Sequence, residues 1–183
     1  WSPVVHLWSH CGGKLSWEDQ RGMFVPNLRS PPCGDNGQSF VFPVGGTIGI
    51  SSASGCFDSA ISTVLEVTKS LGLRSTKLSK PDFREVEADN INPIWLIPDG
   101  AGSKLKAKSF LDYQNDVKVS DIKQAVIEGF ESVEHAKRYT TLGMATDQGK
   151  LSNINGLAML AHHLGKPIES VGTTTFRPPY TPI

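Results

Sequence analysis

Residues 112–161 read DYQNDVKVSDIKQAVIEGFESVEHAKRYTTLGMATDQGKLSNINGLAMLA, and they carry the clearest helical patterns of the chain. Serine is a favoured N-cap residue, and glycine is common where helices end. A first helix is therefore predicted to begin at the cap Ser120 and to end at Gly129. A second helix is predicted to run from the cap Ser132 to about Tyr139.

A third helix is predicted from about Asn153 to Leu164, because apolar residues recur there at helical spacing and Gly165 and Pro167 follow as stop signals. Residues 137–150, KRYTTLGMATDQGK, lie between the second and third helices. They are polar, rich in threonine and closed by a small glycine turn. Its composition leaves four alternatives open: it holds a phosphate, a metal cluster, a partner chain or nothing.

Alternation in SFLDYQNDV, residues 109–117, predicts a strand before these helices. His162 and His163 close the third helix, where charged imidazoles interact favourably with the helix dipole. Two short helices with a tight turn also resemble a helix-turn-helix motif. However, Lys137 and Arg138 stand at the end of the second helix, whereas base-reading residues cluster near the start of a recognition helix. DNA binding is therefore not predicted.

A second strong unit covers residues 39–72. A strand is predicted over 39–44, the turn GGTIG follows, and a helix runs from about Ser54 to Leu71 with Gly72 as its stop. Backbone N–H groups of such a turn can approach a phosphate or a ribose. GGTIG is not the GxGxxG fingerprint, and close packing of helix on strand explains its glycines equally well. The helix should bury an apolar stripe: Phe57, Ile61, Val64, Leu65 and Leu71.

The composition excludes several classes of protein. The 183 residues have a formal net charge of zero, which argues against a nucleic-acid partner. No apolar run approaches the ~20 residues of a membrane span. Three widely spaced cysteines fit reduced thiols in a cytoplasmic protein better than a disulfide framework. The absent Met start and the proline-rich PPYTPI end favour a fragment of a longer polypeptide.

The remaining segments are less regular. VVHLW and MFV, within residues 1–33, are predicted strands, and SPPCGDNGQ is a predicted loop. His6, His10 and Cys11 lie close in sequence but lack a fourth ligand, so no metal site is predicted. Residues 73–109 are charged and proline-containing, which favours an interdomain connector with a short strand at IWLI.

The stretch DYQNDV to AMLA resembles the third domain of the alpha subunit of heterotetrameric sarcosine oxidase. GTTTFRPPYTPI is similar to the passage that leads into that family's folate-binding, aminomethyltransferase-like domain. WSPVVHLWSHCGGKLSW and PVGGTIGISSASG resemble the tail of its dinucleotide-binding domain. The implied organisation is a nucleotide-domain remnant over 1–73, a linker over 74–108, the helical third domain over 109–167 and a lead-in over 168–183. The implied fold class is mixed α+β and α/β.

The resemblance also implies an activity, cofactors and partners. Sarcosine oxidases oxidise the N-methyl group of sarcosine to yield glycine and hydrogen peroxide, and tetrahydrofolate takes the one-carbon unit. NAD binds the alpha subunit, FMN lies at its interface with the beta subunit, and FAD and tetrahydrofolate bind elsewhere. Beta, gamma and delta subunits are the implied partners. No residue of the chain is predicted to be catalytic, and the fragment alone is expected to be inactive.

The helical segment also resembles the small [2Fe–2S] domains related to bacterioferritin-associated ferredoxin. Their CxC positions correspond to Asp112 and Gln114 here, and their CQGxxC positions to Asp147 and Ser152. Iron–sulfur clusters need thiolates, or histidines in special cases. The resemblance thus implies a retained scaffold without a cluster.

Site residues follow from these resemblances. The implied NAD contacts lie at the glycine turn: Gly45, Gly46, Gly49, Ser51 and Ala53. The loop KRYTTLGMATDQGK suits an anion because it offers cations, hydroxyls and accessible backbone N–H groups. The hypothesis is that this face packs against the beta subunit and contacts the FMN phosphate through Lys137, Arg138, Thr140, Thr141, Gln148, Gly149 and Lys150, with Thr146 as a further hydroxyl. The alternative is that Lys137 and Arg138 form a solvated helix end and the threonines cap local turns.

Three other functions remain open. One is an electron-transfer iron–sulfur module, against which the missing cysteines argue. Another is an alpha-type subunit of a related amine or opine oxidase or of a hydrogen cyanide synthase, whose members tend to keep the cluster cysteines. The last is a non-catalytic interaction scaffold, which sarcosine-dependent peroxide release by an assembled complex would separate from the oxidase.

Overall fold

A computed structural model describes residues 2–76, 78–84 and 92–174. The chain divides between Asn92 and Pro93 into two compact units, which are treated separately below. None of the helices in the described ranges is both long and apolar enough to cross a membrane.

The first unit begins with helix α1, His6–His10, where VVHLW was predicted to be a strand. That prediction was wrong because a five-residue apolar segment has no decisive periodicity. One buried aromatic decides instead. Trp8 is 2% exposed, and its indole Nε1–H donates to the Lys14 carbonyl at 2.7 Å. Gly13 leaves room for this ring, since a Cβ there would collide with the indole.

Strands β1, Leu15–Glu18, and β2, Met23–Pro26, form an antiparallel hairpin, so the predicted MFV strand is confirmed. Trp17 and Phe24 are paired across the strands with ring centroids 4.9 Å apart. Such cross-strand aromatic pairs are the unit of stabilisation in a small sheet.

Residues 39–44 do not form the predicted strand. Ser39 makes only an isolated bridge with Cys33, and within the described ranges the strands pair only as two separate hairpins. A strand needs a neighbour to satisfy its N–H and C=O groups, and Phe40 and Phe42 stay exposed instead. The glycine turn is a 3₁₀ helix, Gly45–Ile48, followed by helix α2, Ala53–Ser70.

Helix α2 matches its predicted span and ends before Gly72, which has φ +66°. Its predicted buried stripe is not buried. Phe57, Val64 and Leu65 are each at least 42% exposed, and no residue of α2 is fully buried. Periodicity thus predicted the helix correctly but not the surface that would cover it.

The second unit starts with an irregular segment, so the strand predicted at IWLI, residues 94–97, is wrong. Helix α3, Ser103–Lys106, follows. The single strand predicted over 109–117 is a hairpin: β3, Phe110–Asp112, pairs antiparallel with β4, Val117–Lys118. Asp112 stabilises the turn between the two strands, because its side chain accepts hydrogen bonds from the N–H groups of two following residues. The alternating pattern of the sequence did not reveal this turn.

Three helices complete the second unit: α4, Val119–Ile127; α5, Val133–Thr140; and α6, Asn153–Leu164. Their predicted spans are confirmed to within one or two residues. Ser120 is not the cap of α4, because the helix begins at Val119 and Ser120 lies inside its first turn. Lys118 occupies the cap position, and its backbone N–H donates to Asp121 Oδ2 at 2.8 Å. A short 3₁₀ helix, Ile168–Val171, follows α6.

Helix α4 packs against both α5 and α6, and their facing side chains form the core of the second unit. Ile122 and Leu160 are completely inaccessible to solvent. Gly156 in α6 lets Leu142 approach the helix, since a Cβ there would strike that side chain. The other buried apolar residues of the second unit are Leu111, Val117, Ala125, Val133, Ala136, Leu142, Leu157, Ala158, Met159, Ala161 and Val171.

Candidate functional site

A cleft of about 280 Å³ opens between helix α5 and the loop that joins α5 to α6. Two cations and one carboxylate stand on its α5 side, and a glycine, a methionine and an amide stand on its loop side. The lining residues are Glu134, Lys137, Arg138, Gly143, Met144, Ala145 and Gln148. The cleft therefore lies within the segment whose composition suggested an anion site.

Three of the residues predicted to contact FMN line this cleft: Lys137, Arg138 and Gln148. Lys137 is half-buried, whereas Arg138 is exposed and lies 4.0 Å from Glu134. An exposed ion pair of this length contributes little to stability. With two cations against one carboxylate, the cleft carries a local positive charge that suits a phosphate.

The structure does not bring the other predicted FMN residues into the cleft lining. The Thr140 hydroxyl donates to the Ala136 carbonyl at 2.8 Å, and the Thr141 hydroxyl donates to the Thr140 carbonyl at 2.6 Å. Gly149 is buried, and its N–H donates to Asp147 Oδ1. The Lys150 N–H donates to the carbonyl of the same aspartate. These hydroxyls and backbone N–H groups thus stabilise the loop itself.

The loop contains two non-glycine residues in the left-handed backbone region. Thr141 has φ +63° and Gln148 has φ +53°. A β-branched residue is an outlier there, and such positions cost about 1–3 kcal/mol each. Surrounding contacts hold them in place: Asn115 Nδ2 donates to the Thr141 carbonyl at 2.9 Å, and Asn153 Nδ2 donates to the Gln148 carbonyl at 3.3 Å.

A buried polar network lies directly behind the cleft wall. Asp112 is 3% exposed and Ser152 is 2% exposed. Asp112 Oδ2 accepts the Gly143 N–H at 2.7 Å and the Ser152 hydroxyl at 3.5 Å. Asp112 Oδ1 accepts the N–H groups of Gln114 and Asn115 at 2.9 and 3.1 Å. One carboxylate thus gathers donors from a hairpin turn, the loop and the start of α6.

Gln114 extends this network, because its Oε1 accepts the Asp147 N–H at 3.4 Å. The four positions compared with cluster-ligating cysteines, 112, 114, 147 and 152, are therefore linked by hydrogen bonds in the fold. Their carboxylate, amide and hydroxyl oxygens do not fit an iron–sulfur cluster, whose irons need thiolates. Sequence reasoning singled out these four positions but missed that Asp112 acts as the centre of the network.

No metal site emerges elsewhere in the ranges that the structure describes, where no group of three or more His, Cys, Asp or Glu side chains could hold an ion. His6 and His10, now on one helix, are not part of such a group.

In the first unit, the glycine turn predicted to bind NAD lies just before α2. Gly45 has φ +57° and is buried against Cys56, and its N–H donates to Ser59 Oγ at 3.3 Å. Gly49 has φ +81°, and its carbonyl accepts a hydrogen bond from the Arg21 guanidinium, which also pairs with Glu18.

The other predicted NAD residues are exposed. A Cβ built at Gly46 meets no described atom within 4 Å. Ser51 and Ala53 also face solvent, and Ser52 between them is the cap of α2, since its Oγ accepts the Gly55 N–H at 3.1 Å. The turn therefore presents an open surface at the start of an 18-residue helix.

His163 departs from its expected role at the end of α6. Burial lowers the pKa of His163 from its ordinary 6.5, and nearby His162 and Lys123 lower it further. Its Nε2 is buried without a hydrogen-bond partner among the described groups. The predicted favourable interaction of a charged His163 with the helix dipole is therefore outweighed by desolvation.

The chain is similar over its whole length to known proteins. Residues 106–183 match the model of the sarcosine oxidase A3 domain. The chain is 38% identical over 182 residues to the sarcosine oxidase subunit alpha of Rhizobium meliloti (strain 1021). The chain belongs to the family of sarcosine oxidase alpha subunits. The resemblance drawn from the sequence is thereby confirmed.

Further relatives are the sarcosine oxidase alpha subunits of Corynebacterium sp. strains P-1 and U-96, at 35% and 34% identity over the whole chain. The chain spans 17% of the length of the Rhizobium protein and 18% of each Corynebacterium protein. It therefore corresponds to a limited part of these larger subunits.

One solved structure is similar in fold. The crystal structure of L-proline dehydrogenase from P. horikoshii matches the whole chain with a TM-score of 0.60 at 16% identity, over 36% of that protein. The mixed α/β class predicted for the chain is thereby confirmed.

Proposed function

We propose that the chain is a cofactor-supporting part of an alpha subunit in a flavin-dependent oxidoreductase complex that oxidatively demethylates sarcosine to glycine. Hydrogen peroxide and methylene-tetrahydrofolate are the other expected products. The membership in the sarcosine oxidase alpha family supports this role, and the solved neighbour is itself named a dehydrogenase. Beta, gamma and delta subunits are the proposed partners, with FAD and tetrahydrofolate bound outside this chain.

The observation that carries the local proposal is the cationic cleft in the second unit. We propose that it contacts the phosphate of an FMN held at the interface with a beta-type subunit. Lys137 and Arg138 supply positive charge, and Gln148 supplies an amide that can donate to a phosphate or a flavin carbonyl. Thr140, Thr141, Gly149 and Lys150 act in this proposal by shaping the loop.

Exposed apolar side chains that neighbour the buried network in sequence support a subunit contact. Tyr113 is 81% exposed, Leu151 77% and Met144 58%. Their neighbours in the sequence, Asp112, Ser152 and Gly143, are joined by hydrogen bonds in the network. Single exposed hydrophobic residues are common on soluble proteins, whereas large ones that form a patch are typical of an interface.

The FMN proposal can be tested on the assembled complex. Lys137→Ala with Arg138→Ala should lower the FMN content of the purified complex and leave FAD unchanged. Lys166→Ala is the matched control, because Lys166 is an exposed lysine of the same unit that pairs with Glu131 at 2.5 Å. A structure of the complex with every flavin phosphate more than about 10 Å from the cleft, roughly one Debye length, would contradict the proposal.

The subunit contact has its own test. Leu151→Glu should weaken co-purification of the beta-type subunit, because it places a charge in an apolar contact. Ile127→Glu is the control: Ile127 is 67% exposed and lies at the far end of α4, about 13 Å along the helix from its start. Equal loss of the partner with both variants would argue against a local interface.

For the first unit we propose NAD contact at the glycine turn, supported by its position before α2. Gly46→Trp in the full-length subunit should remove bound NAD and leave the fold intact, since nothing described lies near a Cβ at Gly46. Gly12→Trp is an unsuitable control because its φ is +93°, whereas Gly100→Trp has free space and no such strain. Retention of NAD by the Gly46 variant would refute the placement.

The second unit is further proposed to be a cluster domain that has lost its cluster. The convergence of positions 112, 114, 147 and 152 supports this origin. A cytoplasmic location is proposed on the free thiols of Cys11, Cys33 and Cys56.

A further inference from the structure

The Asp112 carboxylate is buried against donors from three separate segments. The Gly143 N–H reaches it from the loop, the N–H groups of Gln114 and Asn115 reach it from its own turn, and the Ser152 hydroxyl reaches it from the start of α6. Several backbone N–H groups that converge on one point form a nest that favours an anion. Here the anion is a side chain of the protein itself.

We propose that Asp112 is an internal anion that sets the shape of the cationic cleft and is therefore a positioning residue for the ligand bound there. This inference rests on the proposed phosphate contact at the cleft. It adds that the ligand affinity depends on a residue that does not touch the ligand.

Three hydrogen bonds join the hairpin turn to the cleft wall. Asp112 accepts the N–H of Gly143, which lines the cleft. Asn115 donates to the carbonyl of Thr141, two residues earlier in the same loop. Gln114 accepts the N–H of Asp147, which precedes the cleft residue Gln148. The turn therefore contacts the loop near its start, at Thr141 and Gly143, and in its middle, at Asp147.

The donors favour a charged acceptor on Asp112. Hydrogen bonds to a carboxylate are about twice as strong as those between neutral groups. Asparagine at this position would offer one carbonyl oxygen and turn an N–H₂ group toward other donors, and alanine would leave the donors without an acceptor. Either change should release the left-handed Thr141 and Gln148 from the conformations in which the network holds them.

The experiment uses the full-length subunit in its assembled complex and compares Asp112→Asn with Asp116→Asn. Both variants exchange a carboxylate for an amide in the same turn, but Asp116 is exposed, and asparagine tolerates its φ of +54°. We expect Asp112→Asn to speed amide hydrogen exchange across 141–152 by about tenfold, the equivalent of one lost buried hydrogen bond. Asp116→Asn should leave exchange unchanged.

Chemical rescue separates an anion from a space-filling group. In Asp112→Ala, sodium formate should restore slow exchange across 141–152 and FMN retention in a saturable way. Formamide, which is neutral and of similar shape, should not, and sodium chloride controls for ionic strength. If Asp112→Ala does not assemble, the Asp112→Asn exchange measurement decides the matter alone.

The outcomes distinguish this inference from the proposed function. Unchanged exchange in Asp112→Asn, or equal rescue by formamide and formate, overturns the role of Asp112 as an internal anion. In another outcome, formate restores slow exchange, but replacing Lys137 and Arg138 does not change FMN retention. This outcome supports the role of Asp112 as an anion but contradicts the phosphate site. In a third outcome, formate restores slow exchange but not FMN retention, although replacing the two cations does lower FMN content. This outcome overturns the positioning role of Asp112.

Discussion

The two units of the chain contain helices of equal clarity in sequence but of different burial. Helix α6 places six consecutive residues, 156–161, in a core that its own unit completes. Helix α2 is longer, at 18 residues, yet buries none fully. Helical periodicity reports which face is apolar, whereas burial requires a second surface at the right place. The loop of the second unit and the turn of the first unit are both held by contacts between residues distant in sequence, Asp112 with Gly143 and Arg21 with Gly49.

The largest expected effect is a loss of stability, and it compares a buried leucine of α6 with an exposed leucine of α2. Leu160→Ala should lower the free energy of unfolding by about 2–5 kcal/mol, because Leu160 is completely buried and the change leaves a cavity. Leu65→Ala in α2 makes the same chemical change at a residue that is 42% exposed and should cost less than about 1 kcal/mol. Amide exchange of each helix in the full-length subunit measures both values. A larger loss at Leu65 would show that another surface covers α2.

A pair of glycines sharpens the same comparison. Alanine is ordinarily favoured over glycine inside a helix by up to about 1 kcal/mol. At Gly156 the added methyl would strike Leu142, so Gly156→Ala should instead destabilise the second unit by about 1–3 kcal/mol. Gly46→Ala in the first unit meets no described atom and should be neutral or slightly stabilising. Thermal unfolding followed by amide exchange separates the two, and an equal response would contradict the packing at Leu142.

Sequence alone predicted the four longest helices, α2, α4, α5 and α6, because their signals are local. Glycines at 72, 129 and 165 ended helices where expected, and each has a positive φ. The failures involved side-chain contacts that hydrophobic periodicity does not report, some of them local, such as the bonds from the N–H groups of Gln114 and Asn115 to Asp112. VVHLW became α1 because Trp8 found a partner in Lys14, and residues 39–44 lacked a strand to join. The cleft was foreseen only in part, since its charge is visible in KRYTTLGMATDQGK but the Asp112 bond to Gly143 spans 31 residues.

Relief of the strained backbone in the loop should have a smaller effect, which raises the stability of the second unit. Thr141→Gly should stabilise the second unit by up to about 1 kcal/mol, because glycine adopts φ +63° without a steric penalty. The gain is reduced by loss of the hydroxyl bond to Thr140 and by the greater freedom of glycine in the unfolded chain. If the strain serves the cleft, the same variant should bind FMN less tightly. Greater stability with unchanged FMN content would indicate that the conformation is only structural.

The smallest expected effect is a pH dependence confined to the second unit. Burial lowers the pKa of His163 below 6.5, so between the lowered pKa and 6.5 the unfolded chain binds more protons there than the folded protein. Stability should therefore be complete above pH 6.5 and decline as the pH falls through that window. The hydrogen bond to Lys166 lowers the pKa of Glu131 from 4.5. Glu131 therefore titrates below the pH range of the measurement and does not interfere. Amide exchange of α6 between pH 5 and 8, corrected for intrinsic rates, should show the decline in the parent protein and a flatter profile in His163→Gln. An identical slope in both would assign the pH dependence to another group, and a matching slope in α2 would show that it is not confined to the second unit.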